Sequence, residues 1–388
     1  MVMERGIVRL GGFVVRVVAV RTNLSPRYNP GSSLIYSAQH FLYSTDSGIR
    51  NKGHSYSRDW HKAQQRCLSM YSNADAGLDE SEKECAPGPL VSATWLKNNL
   101  SNVKVLDATW YLPNQGKNGL DLFCTRDRIQ GAQFFDLDGI ADKTRDLPHM
   151  LPSEKQFAAA ADALGISVND SIVIYDRQGI FSAPRAWWTW KMLGHRGCVS
   201  VLDGGLDAWV DSCGEIECEE LDKNDVLKPT KACEEATDET LTQYPAKLQS
   251  GYVRSLEQVL SRVVEEGKEI VVDARPASRF EGVAEEPRPG LRKGRIPNSK
   301  NIVWNHVLTE GAKKMKSAEE IHGVFKRVGL DPANTNFDTV VASCGSGTTA
   351  CILVLASELL LSKQGAMSVY DGSWSEWGSE MQPVPVEN

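Results

Sequence analysis

The sequence predicts an α/β protein in which one domain occurs twice, and a repeated order of short elements is the main reason. Three positions of the first half have partners exactly 168 residues later in the second half, namely Asp176 with Cys344, Asp203 with Asp371, and Trp209 with Trp377. A constant spacing over three separated pairs indicates a tandem repeat. Within each copy, β-branched runs alternate with helical stretches, which is typical of a mainly parallel sheet flanked by helices.

The elements follow the same order in both copies. The strand-like run 103–109 of the first copy corresponds to 269–275 of the second, and the helical run 155–164 corresponds to 320–328. A second strand-like run at 171–176 corresponds to 339–344. Because ligands of such sheets bind at the carboxyl ends of the strands, we expect the functional residues to follow these runs.

Composition divides the chain further. Residues 1–72 contain ten Lys and Arg against three Asp and Glu, with frequent serine, which is typical of a transit peptide; a disordered basic tail is the alternative. We predict a disordered transit peptide over 1–72 that directs the protein to the mitochondrial matrix rather than to the chloroplast or cytoplasm. A flexible lead over 73–88, a first domain over 89–212, an acidic interdomain linker over 213–248 and a second domain over 249–388 follow.

Charge, hydropathy and cysteine usage exclude several classes. The net charge of -7 argues against general nucleic-acid binding, and no apolar run has the roughly 20 residues of a membrane span. The nine cysteines form no CxxC pair and have no histidine at zinc spacing. We therefore expect reduced thiols, without a disulfide framework and without a structural metal.

One cysteine stands where a nucleophile is expected. The run 340–343 ends at Cys344, after which Gly345 and Gly347 alternate with hydroxyl residues before an apolar helical run begins. Such a loop turns backbone N–H groups inward, and the helix adds the positive end of its dipole, so the loop can hold an anion and favour a thiolate. The alternative is a buried structural cysteine on a β–α turn.

The two copies differ at this position. The first copy has Asp176 in place of Cys344, and a carboxylate cannot act as a thiol nucleophile. We therefore predict that only the second domain carries the chemistry. The first domain then provides one wall of a site between the domains.

Several separated motifs carry a resemblance to a known family. The chain resembles the two-domain rhodanese family over about 91–378, and within it the 3-mercaptopyruvate sulfurtransferases of plant type. The matching motifs lie at 106–113, 134–138, 147–152, 179–188, 203–206, 279–288, 344–349 and 370–378. The resemblance implies two tandem rhodanese-like domains and an enzyme that moves sulfur from 3-mercaptopyruvate through a Cys344 persulfide to an acceptor, releasing pyruvate.

The resemblance also implies roles for individual residues. Cys344 is the nucleophile, and Asp138, His149 and Ser346 form a hydrogen-bonded arrangement beside it, although His149 can also be read as a packing residue. The substrate-binding residues are the two arginines and the loop: Arg279, Arg288, Gly345, Gly347, Thr348 and Thr349. The implied donor is 3-mercaptopyruvate or thiosulfate, the acceptor is thioredoxin, glutathione or cyanide, and neither a cofactor nor a metal is required.

Thr348 departs from the family pattern, which commonly has valine there. Threonine has nearly the same shape, but its hydroxyl must find a partner or water. We expect Thr348 to influence substrate preference.

Three other functions remain to be weighed. A thiosulfate sulfurtransferase is the nearest, but its loop resembles a CRxGxx pattern with cationic side chains, whereas residues 345–349 carry no charge. A cysteine-dependent phosphatase needs arginine where this chain has Ala350. A non-catalytic persulfide carrier stays possible if a partner loads the sulfur.

Overall fold

The computed structural model describes residues 86–311, 313–363 and 366–388, and the backbone of residues 2–10 and 13–21. The two short segments at the start are antiparallel strands, β1 (Val2–Leu10) and β2 (Phe13–Arg21). The sequence analysis placed them in a disordered targeting segment. They contain β-branched residues at a high density, which favours an extended backbone; the rest of that segment lies outside the described residues.

The first domain contains short strands and helices in alternation. The strands are β3 (Leu90–Val91), β4 (Lys104–Asp107), β5 (Arg128–Ile129), β6 (Gln133–Phe134), β7 (Ile172–Tyr175) and β8 (Val199–Leu202). The helices are α1 (Ala93–Asn99), α2 (Gly119–Thr125), α3 (Glu154–Ala163), α4 (Ala183–Met192) and α5 (Gly205–Asp211). Helix α3 begins with a capping box, in which Ser153 and Gln156 satisfy each other's backbone N–H groups.

The connection to the second domain contains β9 (Ile216–Glu217), α6 (Lys223–Val226) and α7 (Lys228–Glu235). This region was expected to be a solvated linker, but part of it packs on the first domain. Cys233 is fully buried, and the Tyr244 ring packs edge-on against Phe157 and Trp190. A few apolar side chains among many acidic ones are thus enough to fix the segment, because each removes a large apolar area from water.

The second domain repeats the same plan. Its strands are β10 (Val253–Arg254), β11 (Ile270–Asp273), β12 (Lys300–Asn301), β13 (Val340–Ser343) and β14 (Ser368–Tyr370). Its helices are α8 (Leu256–Val259), which continues as a π-helical turn over Leu260–Glu265, α9 (Ala277–Phe280), α10 (Ala318–Arg327), α11 (Ala350–Leu361) and α12 (Ser373–Trp377).

The two five-stranded sheets have equivalent strand orders, β3-β8-β7-β4-β6 and β10-β14-β13-β11-β12. Every pairing within these two sheets is parallel. The predicted α/β fold with two tandem parallel sheets is therefore confirmed. In each sheet the third strand in the order, β7 or β13, leads directly into the loop that holds Asp176 or Cys344.

The two domains share one apolar core. The largest buried cluster includes Trp187 and Trp188 of α4 together with Leu353 and Val354 of α11. A buried ion pair also joins these helices, with Lys191 Nζ 2.6 Å from a Glu358 carboxylate oxygen. Helices α4 and α11 directly follow the two equivalent loops, so their contact brings those loops to one interface.

The structure also bears on the predictions about disulfide bonds and membrane-spanning helices. The prediction of reduced thiols without disulfides was wrong for Cys198, which is disulfide-bonded. Sequence spacing alone could not reveal this because a disulfide depends on the approach of two Cα atoms in space. Among the described residues, no helix has the length and apolar character needed to cross a bilayer.

Candidate active site

The Cys344 loop joins the central strand β13 to helix α11. Its thiol residue is only 2% exposed, and its backbone N–H donates to Ser373 Oγ at 3.2 Å. On the outer side, the Gly345 carbonyl accepts from the Ser375 N–H at 2.8 Å and from the Ser375 hydroxyl at 2.7 Å. Gly347 has φ of +79°, a conformation that costs a residue with a Cβ roughly 1–2 kcal/mol. Helix α12 therefore fixes the loop from outside, and glycine permits its turn.

Several backbone N–H groups of this loop have no acceptor among the described residues. Within the described part of the chain, the backbone N–H groups of residues 345–349 donate to no protein acceptor. They lie between the Cys344 side chain and the first turn of α11, where helix N–H groups are also unpaired. N–H groups without acceptors in such a loop can hold an anion.

The equivalent loop of the first domain is already filled. Asp176 Oδ2 accepts from the N–H groups of Phe181 at 2.8 Å, Ser182 at 2.9 Å and Ala183 at 2.9 Å. Its other oxygen accepts from the Gln178 N–H at 2.8 Å. The carboxylate thus accepts from the N–H groups that an incoming anion would need.

Asp138, His149 and Ser346 come together across the domain interface. His149 Nε2 lies 2.9 Å from Asp138 Oδ1, and His149 Nδ1 lies 3.0 Å from Ser346 Oγ. The imidazole is buried, at 5% exposure, and the Trp110 ring meets it edge-on with centroids 4.7 Å apart. Burial raises the pKa of Asp138, but hydrogen bonds from His149 and Trp110 outweigh it and hold that pKa below its usual range.

Both predicted substrate arginines face the loop. A Cβ placed on Gly345 would lie 3.4 Å from Arg279 Nη2 and 3.9 Å from Arg288 Nη1. Arg279 is ion-paired with Glu286, which also accepts from Arg275 Nη1 at 2.8 Å. Arg288 forms no ion pair with any described residue. Burial lowers the pKa of Arg288, and the neighbouring Arg279 adds to this effect while Cys344 opposes it.

Arg185 is a site residue that the sequence analysis missed. It extends from α4 to the second domain, where Nη2 lies 2.7 Å from Asp371 Oδ1 and Nη1 lies 3.5 Å from the Gly347 carbonyl. The same guanidinium donates to the His149 carbonyl. Burial disfavours its charge, yet Asp371 and the two nearby thiols raise the pKa of Arg185. Its position in the motif 179–188 was a signal, but only the structure shows what it contacts.

The two other loop residues and the second thiol have defined surroundings. Thr348 is buried, and its hydroxyl lies 3.0 Å from His149 Nδ1. Thr349 ends the loop at the start of α11, where its side chain forms no capping hydrogen bond. Cys351 is fully buried, its thiol donates to the Gly347 carbonyl at 3.2 Å, and burial raises its pKa well above the usual range. Cys351 is therefore a packed thiol.

The described residues do not meet the requirements of a metal site, and a separate cavity lies apart from the candidate site. Among residues 86–311, 313–363 and 366–388, no group of three or more His, Cys, Asp or Glu side chains is arranged to hold a metal ion. A cavity of about 450 Å³ lies elsewhere, between the end of α4 and the residues around Tyr252, and is lined by Lys191, His195 and Glu358. It contains none of the predicted site residues.

Comparisons with known proteins give a consistent picture. The family model described as a rhodanese-like domain matches residues 92–212 and again 255–380. The chain is 36% identical over 371 residues to a mitochondrial thiosulfate/3-mercaptopyruvate sulfurtransferase of Arabidopsis thaliana, covering 93% of this chain and 92% of that protein. It is 39% identical to the mouse 3-mercaptopyruvate sulfurtransferase, covering 76% of this chain and 94% of the mouse protein.

Solved structures agree with these relatives. The crystal structure of SseA, a 3-mercaptopyruvate sulfurtransferase of Escherichia coli, aligns with a TM-score of 0.60 at 30% identity, covering 74% of this chain and all of that one. Tum1 from Saccharomyces cerevisiae aligns with a TM-score of 0.63 at 28% identity, covering 76% of this chain and 96% of that one.

Proposed function

The chain belongs to the rhodanese family and is a sulfurtransferase, and on that basis we propose that it moves sulfur from 3-mercaptopyruvate through a persulfide on Cys344, releasing pyruvate. The observation that supports this most directly is the contrast between the two loops. The loop of the second domain has a thiol and five N–H groups that have no acceptor within the described part of the chain, whereas a carboxylate fills the loop of the first domain.

The first half-reaction transfers the substrate sulfur. The Cys344 thiolate attacks the sulfur of 3-mercaptopyruvate, the sulfur–carbon bond breaks, and the electron pair of that bond leaves as the enolate of pyruvate. The proton of the substrate thiol ends on carbon 3 of pyruvate, so the persulfide remains as an anion. The backbone N–H groups of residues 345–349, which have no acceptor among the described residues, directly follow Cys344 and would stabilise this anion.

Arg279 and Arg288 suit the rest of the substrate. A 2-oxo acid presents a planar carboxylate, and guanidinium groups bind such groups through paired hydrogen bonds. Glu286 holds Arg279 in place and partly neutralises it, while Arg288 keeps its full set of donors. Ser346 belongs to the loop itself, and its hydroxyl contacts His149. This hydroxyl can donate to the keto oxygen of the substrate as negative charge develops there.

The second half-reaction passes the outer sulfur to an acceptor. A thiolate or cyanide attacks that sulfur, the sulfur–sulfur bond breaks, and its electron pair returns to Cys344 as the thiolate. The acceptor is thioredoxin, glutathione or cyanide. Asp138 is 63% exposed at the edge of the otherwise buried site, so an acceptor would approach from this side.

The proposal is tested by measuring pyruvate release from 3-mercaptopyruvate with a thiol acceptor, and thiosulfate consumption in parallel. We expect the first reaction to be faster and Cys344→Ser to abolish it. Cys351→Ser is the matched control, since that thiol is buried in α11, and it should retain most activity. A preference for thiosulfate would contradict the proposed donor, and an inactive protein that still accepts persulfide from a partner would support the carrier alternative.

Arg288→Ala separates the two donors further. Removing a charged hydrogen-bond donor to a carboxylate costs about 1.5–3 kcal/mol, so kcat/KM for 3-mercaptopyruvate should fall roughly 10- to 150-fold. Thiosulfate lacks a carboxylate. An equal loss for both donors would mean that Arg288 acts only as a general positive charge.

We also propose that the enzyme works in the mitochondrial matrix. The basic, serine-rich residues 1–72 and the mitochondrial relative from Arabidopsis thaliana support this location. A fluorescent fusion of residues 1–88 should enter mitochondria, and uptake by chloroplasts instead would contradict the proposal.

A further inference from the structure

Two hydroxyl groups share one nitrogen at the centre of the site. Ser346 Oγ and Thr348 Oγ1 each lie 3.0 Å from His149 Nδ1. All three residues are buried, at 6%, 3% and 5% exposure, so bulk water does not compete for these groups. A hydroxyl–histidine–carboxylate chain needs only one hydroxyl at this nitrogen, and here there are two.

The number of available hydrogens limits what these groups can do. Asp138 accepts from His149 Nε2, which places the hydrogen of a neutral imidazole on Nε2. Nδ1 then has one in-plane lone pair and accepts one good hydrogen bond. Each hydroxyl has a single hydrogen to donate. Only one of the two hydroxyls can therefore satisfy Nδ1, and the other keeps its hydrogen for another acceptor.

We propose that Thr348 is a positioning residue that donates to His149 Nδ1 and thereby leaves the only hydroxyl hydrogen of Ser346 for the substrate oxygen while the imidazole is neutral. This inference rests on the proposed function. It explains why a hydroxyl is present at position 348, where a methyl would fill the same space. It also assigns different partners to two residues that appear equivalent in distance.

The consequence is specific to the Thr348 hydroxyl. Without it, Ser346 is the only donor to a neutral Nδ1 among the described residues, so its hydrogen is withdrawn from the substrate. A site without the Thr348 hydroxyl is therefore less active than the natural site.

The other charged groups around His149 are left unchanged by substitution at position 348. Asp138 contacts its Nε2, and Arg185 contacts its carbonyl while paired with Asp371. Arg288 is close enough to Cys344 and Asp138 to interact with both through its charge, and it lowers the pKa of Asp138. Substitution at position 348 therefore tests the hydrogen bond to Nδ1 and leaves these charges in place.

The kinetic test compares natural protein, Thr348→Val and Thr348→Ser for pyruvate release. Valine keeps the shape without the hydroxyl, and serine keeps the hydroxyl. We expect kcat of Thr348→Val to be about five- to tenfold below that of the natural protein, because Ser346 then donates to Nδ1 instead of to the substrate oxygen. Thr348→Ser should retain most of kcat, which a role in packing alone would not explain. A kcat of Thr348→Val equal to or above that of the natural protein, or an equal loss in Thr348→Ser, overturns the inference.

A second measurement needs no substrate. The ¹⁵N chemical shift of His149 Nδ1, in protein labelled at histidine, reports whether that nitrogen accepts a hydrogen bond. Ser346→Ala should leave it nearly unchanged because Thr348 remains as donor, and adding Thr348→Val should shift it to the value of an unbonded nitrogen. A full shift in Ser346→Ala alone overturns the inference. If the natural protein releases no pyruvate, the proposed function fails, but this measurement still decides the role of Thr348.

Discussion

At the scale of single residues, the site depends on which groups are already satisfied by the protein. The Asp176 carboxylate accepts from the backbone N–H groups of its own loop. The N–H groups that follow Cys344 have no acceptor among the described residues. Glu286 holds Arg279, and Arg288 has no carboxylate partner among the described residues. A buried donor that has no acceptor in the protein is therefore a candidate ligand-binding group, because leaving such a donor unpaired is costly unless a ligand accepts its hydrogen bond.

Asp138 allows a prediction about stability and pH. Its pKa is lowered in the folded protein, so its charge stabilises the fold above the unfolded value of about 3.9, and this contribution is lost as the pH falls through the lowered pKa. Natural protein should therefore be more stable than Asp138→Asn at pH 6, with a difference that shrinks towards pH 3. Urea unfolding at several pH values measures this; a difference that does not depend on pH would contradict the assignment.

At the scale of elements, the two strand–loop–helix units are used differently. The loop of the unit β13–loop–α11 has N–H groups without acceptors among the described residues, whereas the unit β7–loop–α4 is covered by residues 313–315 of the second domain. The Met315 N–H donates to Asp203 Oδ1 at 2.9 Å, and Lys313 lies directly against Gly179. The loop that holds Asp176 is thus part of the contact between the domains.

Gly179 allows a prediction about that contact. Its φ is +99°, and a Cβ there would lie 2.3 Å from the Lys313 Cβ. Gly131 is the matched control, with φ of +71° and no atom within 4 Å of an added Cβ. Gly131→Ala should lower the free energy of unfolding by about 1–2 kcal/mol from backbone strain, and Gly179→Ala by roughly 1–3 kcal/mol more because it displaces the Lys313 loop. Equal losses in urea unfolding would show that the contact is easily rearranged.

At the scale of the whole molecule, the candidate active site draws residues from both domains. Cys344, Arg279 and Arg288 come from the second domain, and His149 and Asp138 come from the first. Arg185 joins the two sides by contacting Asp371, the Gly347 carbonyl and the His149 carbonyl. The shared core and this ion pair hold the imidazole at a fixed distance from the loop.

Arg185 allows a prediction about this coupling. Arg185→Met leaves Asp371 buried without its partner, which should cost about 3–5 kcal/mol in the free energy of unfolding and should also reduce kcat. Lys191→Met is the matched control, because it breaks the buried pair with Glu358 on the same two helices without touching His149 or the loop. It should lower stability but keep kcat. If both variants lost activity equally, the effect would be general loosening of the interface.

The α/β class, the duplication, and the difference between Cys344 and Asp176 can be read from the amino-acid sequence. These features follow from local patterns, since β-branched runs, glycine spacing and helical periodicity are encoded within a few residues. Three other features are visible only in the folded protein: the packing of the linker, the disulfide bond of Cys198, and the contact of Thr348 and Ser346 with the same nitrogen of His149. His149 and Thr348 lie 199 residues apart in the chain, so their contact depends on the packing of two domains and has no local signature.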